Sequence, residues 1–117
     1  MKDLAEPIDM AEVMEILDGD KELLIECFDE ILSHMPQTLA EIQSAIEHKN
    51  ALTLDEAAHK LRGSLKYMAA AQAADVAYQL EIMGKEQNLG SADDTFKTLS
   101  YECEKVKEFM KQYKEGI

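Results

Sequence analysis

An antiparallel up-and-down four-helix bundle with a short extra N-terminal helix is the fold this sequence predicts, and three observations carry the prediction. Apolar residues recur at alternating spacings of three and four along most of the chain, the mark of helices buried along one face. Apolar residues make up 46% of the 117, with no tryptophan and only two prolines, so little in the composition breaks a helix. The interruptions are short clusters such as Asp18-Gly19 and His48-Lys49-Asn50, brief enough to join antiparallel neighbours. The length indicates one domain over 1–117, with a core that needs no staples.

Asp9 can cap a short first helix carrying Met10, Val13, Met14 and Leu17, which stops at Asp18-Gly19 and should cover a flank or end of the bundle. Asp20 then caps a long second helix with Leu24, Phe28, Ile31, Met35, Leu39, Ile42 and Ile46 on one face. The stripe keeps its phase through Pro36, so a kink near Ser33 to Met35 is expected and not a break. A third helix runs from about Ala51 to Ala70, with Leu54, Ala58, Leu61, Leu65 and Met68 as its stripe. The apolar phase restarts at Ala71-Gln72. Ala73, Val76, Ala77, Leu80 and Met83 then mark a fourth helix that ends around Gly84 to Gly90. Ser91 is the expected cap of the last helix, whose seam is Phe96, Leu99, Cys103, Val106, Met110 and Tyr113.

Charge limits the partners. The chain has 24 acidic and 12 basic residues, and a net charge of −12 argues against nucleic acid or an anionic membrane. No stretch approaches the ~18 apolar residues of a membrane span. The start, Met1 to Pro7, lacks an apolar signal region, so a cytoplasmic protein is expected. Cys27 and Cys103 are too few for a disulfide framework and fall on apolar stripes, where both read as buried free thiols. His34, His48 and His59 are scattered without carboxylate–histidine spacing, so no metal site is expected.

The informative stretch is Ala57 to Lys66. At about 100° per residue, His59 points roughly 140° away from the apolar stripe of its helix. Gly63 and Lys66 share its solvent side, and Arg62 flanks it. A mid-helix glycine costs roughly 0.5–1 kcal/mol relative to alanine, so keeping Gly63 beside an exposed histidine suggests a surface cleared for something to approach. No Asp or Glu occurs between Glu56 and Asp75, and Lys60, Arg62 and Lys66 lie in that gap. An acidic protein that keeps carboxylates from a histidine in this way is suited to holding a phosphoryl group there. Arg62 and Lys66 read as surface residues whose loss costs little stability.

His59-x-Leu61-Arg62-Gly63-Ser64 resembles the H-x-L-K/R-G-S signature of histidine-containing phosphotransfer (HPt) domains, and Leu80-Glu81-x-x-Gly84-Lys85 is similar to that family's second segment. Leu65 stands where many members have a small residue, and Ala69 where many have glycine. The resemblance implies a phosphorelay intermediate, with His59 carrying a phosphoryl group between aspartates of response-regulator receiver domains. It also admits a hybrid histidine kinase among the partners. The protein is expected to act as a monomer and to hold no cofactor, the Mg²⁺ being supplied by the receiver's acidic pocket.

Imidazole has an unperturbed pKa near 6.5, which leaves a ring-nitrogen lone pair for attack at neutral pH. Phosphoryl transfer needs mainly in-line positioning and relief of charge on the equatorial oxygens, to which Arg62 and Lys66 can contribute. A hairpin turning about Ala71 brings Leu80 to Lys85 level with His59. There Glu81 either accepts from the second ring nitrogen, selecting the tautomer, or is an ordinary solvated carboxylate. Lys85 either touches a phosphoryl oxygen or is a plain surface lysine. Ser64 fits packing or a backbone bond better than a phosphate contact. With no glycine-rich nucleotide loop and no paired metal carboxylates, the chain is not expected to be an ATP-dependent enzyme. The competing readings are an interaction module that docks receivers without carrying phosphate, and the dimerisation helices of a histidine kinase. Partner contacts are expected from the first helix and the start of the second, through Met10, Val13, Met14 or Leu23.

Overall fold

A computed structural model of the chain describes residues 6–116; most of the opening stretch read for a signal region lies outside them. The order of elements is α1 (Met10–Ile16), α2 (Lys21–Glu47), α3 (Ala51–Tyr67), α4 (Ala71–Glu86) and α5 (Ala92–Glu115). The four long helices pack as a bundle, α3 against both α2 and α4, and α5 against α2 and α4. The five predicted stripes face inward: Val13, Leu24, Phe28, Ile42, Leu54, Leu65, Leu80, Leu99 and Met110 are all fully buried. Met83, Phe96 and Tyr113 close the margins as half-buried residues. None of the helices among the described residues is long and apolar enough to cross a membrane.

The helix starts follow the capping chemistry of their side chains. Asp9 accepts from the Glu12 amide at 3.1 Å, Asp20 from Leu23 at 3.0 Å and Asn50 from Thr53 at 3.1 Å. Ser91 stands at the N-cap of α5 but makes no cap bond, because its backbone ψ is 9° instead of the extended value found at Asp9 and Asp20. The expected cap is therefore present in sequence and absent in geometry. Pro36 lies inside a single helix assigned over Lys21–Glu47, as the unbroken stripe required.

The stops of α1 to α4 share one device. Asp18, Lys49, Ala69 and Gln87 each take φ of 55–57°, the left-handed conformation. After each, two backbone amides fold back on the last turn; at the α3 end Ala69 donates to Lys66 at 3.0 Å and Ala70 to Leu65 at 2.8 Å. This closure ends α3 at Tyr67, three residues before the boundary expected from periodicity. It also explains why a glycine would serve at position 69: the site demands positive φ. The Ala69 carbonyl accepts from the Asp9 amide at 3.0 Å, which ties the approach to α1 onto the α3–α4 turn and places α1 at that end of the bundle.

The fourth helix ends at Glu86, within the expected Gly84 to Gly90, and Gly84 lies in its last turn. A Cβ there would lie 2.7 Å from both the Ala51 carbonyl oxygen and the Asp55 amide nitrogen, so only glycine allows α4 to lie this close to the first turn of α3. Cys103 is buried as expected, and burial, reinforced by the neighbouring Glu102 charge, pushes its thiol up to about 12. Cys27 differs from the expectation in being only half-buried; its thiol is also raised by burial and by the Glu30 and Glu26 charges.

Candidate functional site

The α3–α4 hairpin turns at Ala69-Ala70, which sets His59 level with Glu81, Arg62 with Tyr78 and Asp55 with Lys85. His59 is 65% exposed, on the face of α3 opposite Leu54, Ala58, Leu61 and Leu65. Its Nδ1 lies 2.9 Å from Glu81 Oε2. Glu81 is no solvated carboxylate: it is 2% exposed, and Arg62 Nε donates to its Oε1 at 2.7 Å. Burial alone would raise the Glu81 carboxyl, but hydrogen bonds from Arg62 and His59, with their charges, overcome this and hold it below the ordinary carboxylate range. An ionised carboxylate only accepts, so the 2.9 Å contact requires a hydrogen on Nδ1. The lone pair of the neutral ring then sits on Nε2, on the far, exposed side.

The sequence window free of acids is not free of them in space. Glu41 on α2 pairs with Lys60 at 3.3 Å, and Glu81 pairs with Arg62. Helix packing brings these carboxylates in from other segments, which a linear scan cannot register. Lys66 alone of the three cations in that window has no ion-pair partner among the described residues, and it lies about 10 Å along α3 from His59. Lys85 pairs with Asp55 at 3.2 Å and comes within 3.7 Å of Glu81 Oε2. Ser64 is exposed, its hydroxyl 3.5 Å from the Lys60 carbonyl oxygen, the local backbone bond expected of it.

Arg62 departs from the surface reading. Its side chain is 23% exposed, bonded to Glu81 and stacked over the Tyr78 ring at 5.0 Å. Removing it strands a buried carboxylate, so Arg62→Ala should cost about 1–3 kcal/mol, measured by denaturant melts, against a near-neutral Lys66→Ala. The lowered Glu81 carboxyl also has a pH signature. Its stabilisation is fully present above the ordinary value of 4.5 and is lost as pH falls through the lower value in the folded protein. The stability of the wild type relative to Glu81→Gln should therefore decline on acidification below about pH 5. A difference that stayed constant down to pH 3 would mean that Glu81 is not held ionised.

A family model described as the Hpt domain matches residues 26–111, which include His59, Arg62, Glu81 and Gly84. The chain belongs to the Hpt family. Hpt domains are phosphocarriers that relay phosphate with receiver domains, and they are not kinases. The fold is similar to that of histidine-containing phosphotransfer protein B (HptB) from Pseudomonas aeruginosa PAO1, with a TM-score of 0.89 at 18% identity over 97% of this chain and 98% of that one. It is also similar to the Hpt domain of an Hpt sensor hybrid histidine kinase from Shewanella, with a TM-score of 0.84 at 20% identity over 95% and 96% of the two chains. No curated protein sequence matches the chain. In this Hpt protein, Tyr78, Asp55 and Glu41 join the site without having been singled out in sequence. Tyr78 could have been found, since it stands one helical turn before Glu81 and so shares its face of α4.

Proposed function

We propose that His59 is the phosphoryl acceptor of a cytoplasmic phosphorelay protein whose Hpt unit occupies the chain from 1 to 117. The carrying observation is the 2.9 Å contact between Nδ1 and the buried Glu81 carboxylate on an otherwise exposed imidazole. The Nε2 lone pair attacks the phosphorus of a receiver's aspartyl phosphate. The N–P bond forms, the P–O bond to the aspartate breaks, and that carboxylate leaves. The hydrogen stays on Nδ1, and the positive charge gained by the ring faces Glu81. Transfer to a second receiver runs the same step in reverse. Arg62 and Lys85 orient Glu81, and Lys66, without an ion-pair partner among the described residues, is available to phosphoryl oxygens. Mg²⁺ belongs to the receiver.

Incubation with a phosphorylated receiver tests this. Label should pass to the protein as an acid-labile, alkali-stable adduct. Stable docking without any label would instead identify an interaction module that docks receivers without carrying phosphate.

The receiver's approach is supported by two surfaces. Gly63, one turn beyond His59, has nothing within 4 Å of an added Cβ. A groove of about 540 Å³ between α2 and α3 runs beside it, with Ile31, Met35 and Leu61 in its lining and Lys60 and Ser64 from the His59 helix. Of the contacts expected from α1 and the start of α2, Leu23 is 39% exposed and Met10 and Met14 are half-buried, but Val13 is fully buried and drops out. An encounter that must release quickly should be of micromolar affinity, with an interface at the small end of specific complexes.

Gly63→Ala should stabilise the fold by about 0.5–1 kcal/mol, since the added methyl meets open space and favours helix. Gly63→Gln should also melt higher than the wild type, yet slow transfer by filling the approach. Thermal melts paired with transfer rates decide it. Full transfer by a stabilised Gln variant would show that the glycine clears no path.

A further inference from the structure

The His59 Nδ1 atom has two polar neighbours that demand opposite tautomers. Glu81 Oε2, at 2.9 Å, bonds only a protonated Nδ1. Arg62 Nη2, at 3.3 Å, can donate only to an unprotonated one. The first bond leaves the lone pair on the exposed Nε2; the second places a hydrogen there and removes the nucleophile. A neutral imidazole can satisfy one of them at a time. Which prevails depends on where the guanidinium is held.

Two groups of α4, one turn apart, hold it. Glu81 Oε1 accepts from Nε at 2.7 Å, and the Tyr78 ring lies 5.0 Å from Cζ. A ring face attracts a cation, and the planar guanidinium stacks on it in a fixed orientation. We propose that Tyr78 is a positioning residue: its ring holds the Arg62 guanidinium so that Nε closes on Glu81 at 2.7 Å while Nη2 comes no nearer to His59 Nδ1 than 3.3 Å. The shorter 2.9 Å Glu81 contact then prevails and holds the nucleophilic lone pair on Nε2. The consequence for transfer rests on His59 being the acceptor; the tautomer itself does not. Stacking alone would carry no such meaning. Lys105 lies 5.0 Å from the Tyr101 ring on α5, but that cation touches no other functional group of this site. Among the described residues, only at Tyr78 does the stacked cation also bond the carboxylate that faces the histidine.

Tyr78 is 47% exposed, so its replacement leaves the core intact. The test is long-range ¹H–¹⁵N NMR of the unphosphorylated full chain, at a pH where the His59 ring is neutral, for the wild type, Tyr78→Leu and Tyr78→Phe. The wild type should show mainly the Nδ1–H form. Tyr78→Leu should raise the ratio of Nε2–H to Nδ1–H form about two- to fivefold, the worth of an exposed cation–ring contact. Transfer from a phosphorylated receiver should slow with it. Tyr78→Phe keeps the ring face and should match the wild type in both. Unchanged ring-nitrogen shifts in Tyr78→Leu would overturn the proposal, as would a Phe variant as perturbed as Leu. A tautomer shift in Leu alone, with no transfer even by the wild type, would uphold the positioning role and remove the acceptor reading.

Discussion

His59→Gln should abolish phosphoryl transfer from a phosphorylated receiver while leaving the bundle folded. The two effects separate because the ring is 65% exposed and contributes no packing to the core. Glutamine has no nucleophilic nitrogen, since its amide lone pair is delocalised into the carbonyl, so loss should be complete and not graded. Its amide can still donate to Glu81, and a stability change within about 1 kcal/mol is expected. Labelling assays run beside thermal melts provide the check. Residual label at the wild-type level would place the acceptor elsewhere.

Gly84→Ala should have the largest effect on stability among single-methyl changes near the site. The added Cβ would sit 2.7 Å from the Ala51 carbonyl oxygen and the Asp55 amide, and 3.0 Å from Asp55 Cα. These are backbone atoms of α3 and cannot swing aside as a side-chain tip would. Overpacking of this kind costs about 1–3 kcal/mol, offset by ~0.5–1 kcal/mol of better helix propensity. A drop in melting temperature on the order of 5–10 °C is expected. Because relief requires α4 to move off α3, the Glu81 contact to His59 should loosen and transfer should slow. The same substitution at Gly63 should raise the melting temperature, so the two glycines of one hairpin respond with opposite sign. A neutral Gly84→Ala would mean that the helices do not approach this closely.

The helical stripes were legible because each long helix buries one face, and 3.6-residue periodicity records that burial directly. The stop of α3 was less so. At the α1 stop the left-handed residue is Asp18, just before Gly19, and at the ends of α2, α3 and α4 it is Lys49, Ala69 and Gln87. The first two stops were still marked by Asp18-Gly19 and His48-Lys49-Asn50, but no such signal stands at Ala69, so α3 read three residues too long. The end of α4 at Glu86 falls within the expected Gly84 to Gly90, but the close contact that Gly84 makes with α3 was not legible.

At the site, the exposure of His59 and the clearing at Gly63 followed from helical phase alone. The state of Glu81 did not, because a carboxylate's burial depends on how tightly two helices meet, and that closeness comes from Gly84. Arg62 was misread for the same reason. On its own helix it flanks an exposed histidine, whereas in the bundle it is clasped by Tyr78 and Glu81 from α4.

The most direct measurement of the central claim is phosphorus–proton correlation NMR of the phosphorylated full chain, which identifies the atom that bears the phosphoryl group. A single phosphohistidine signal from His59, with phosphorus bonded to Nε2 and the hydrogen retained on Nδ1, is the predicted result. Phosphorus on Nδ1, or on His34 or His48, would contradict it.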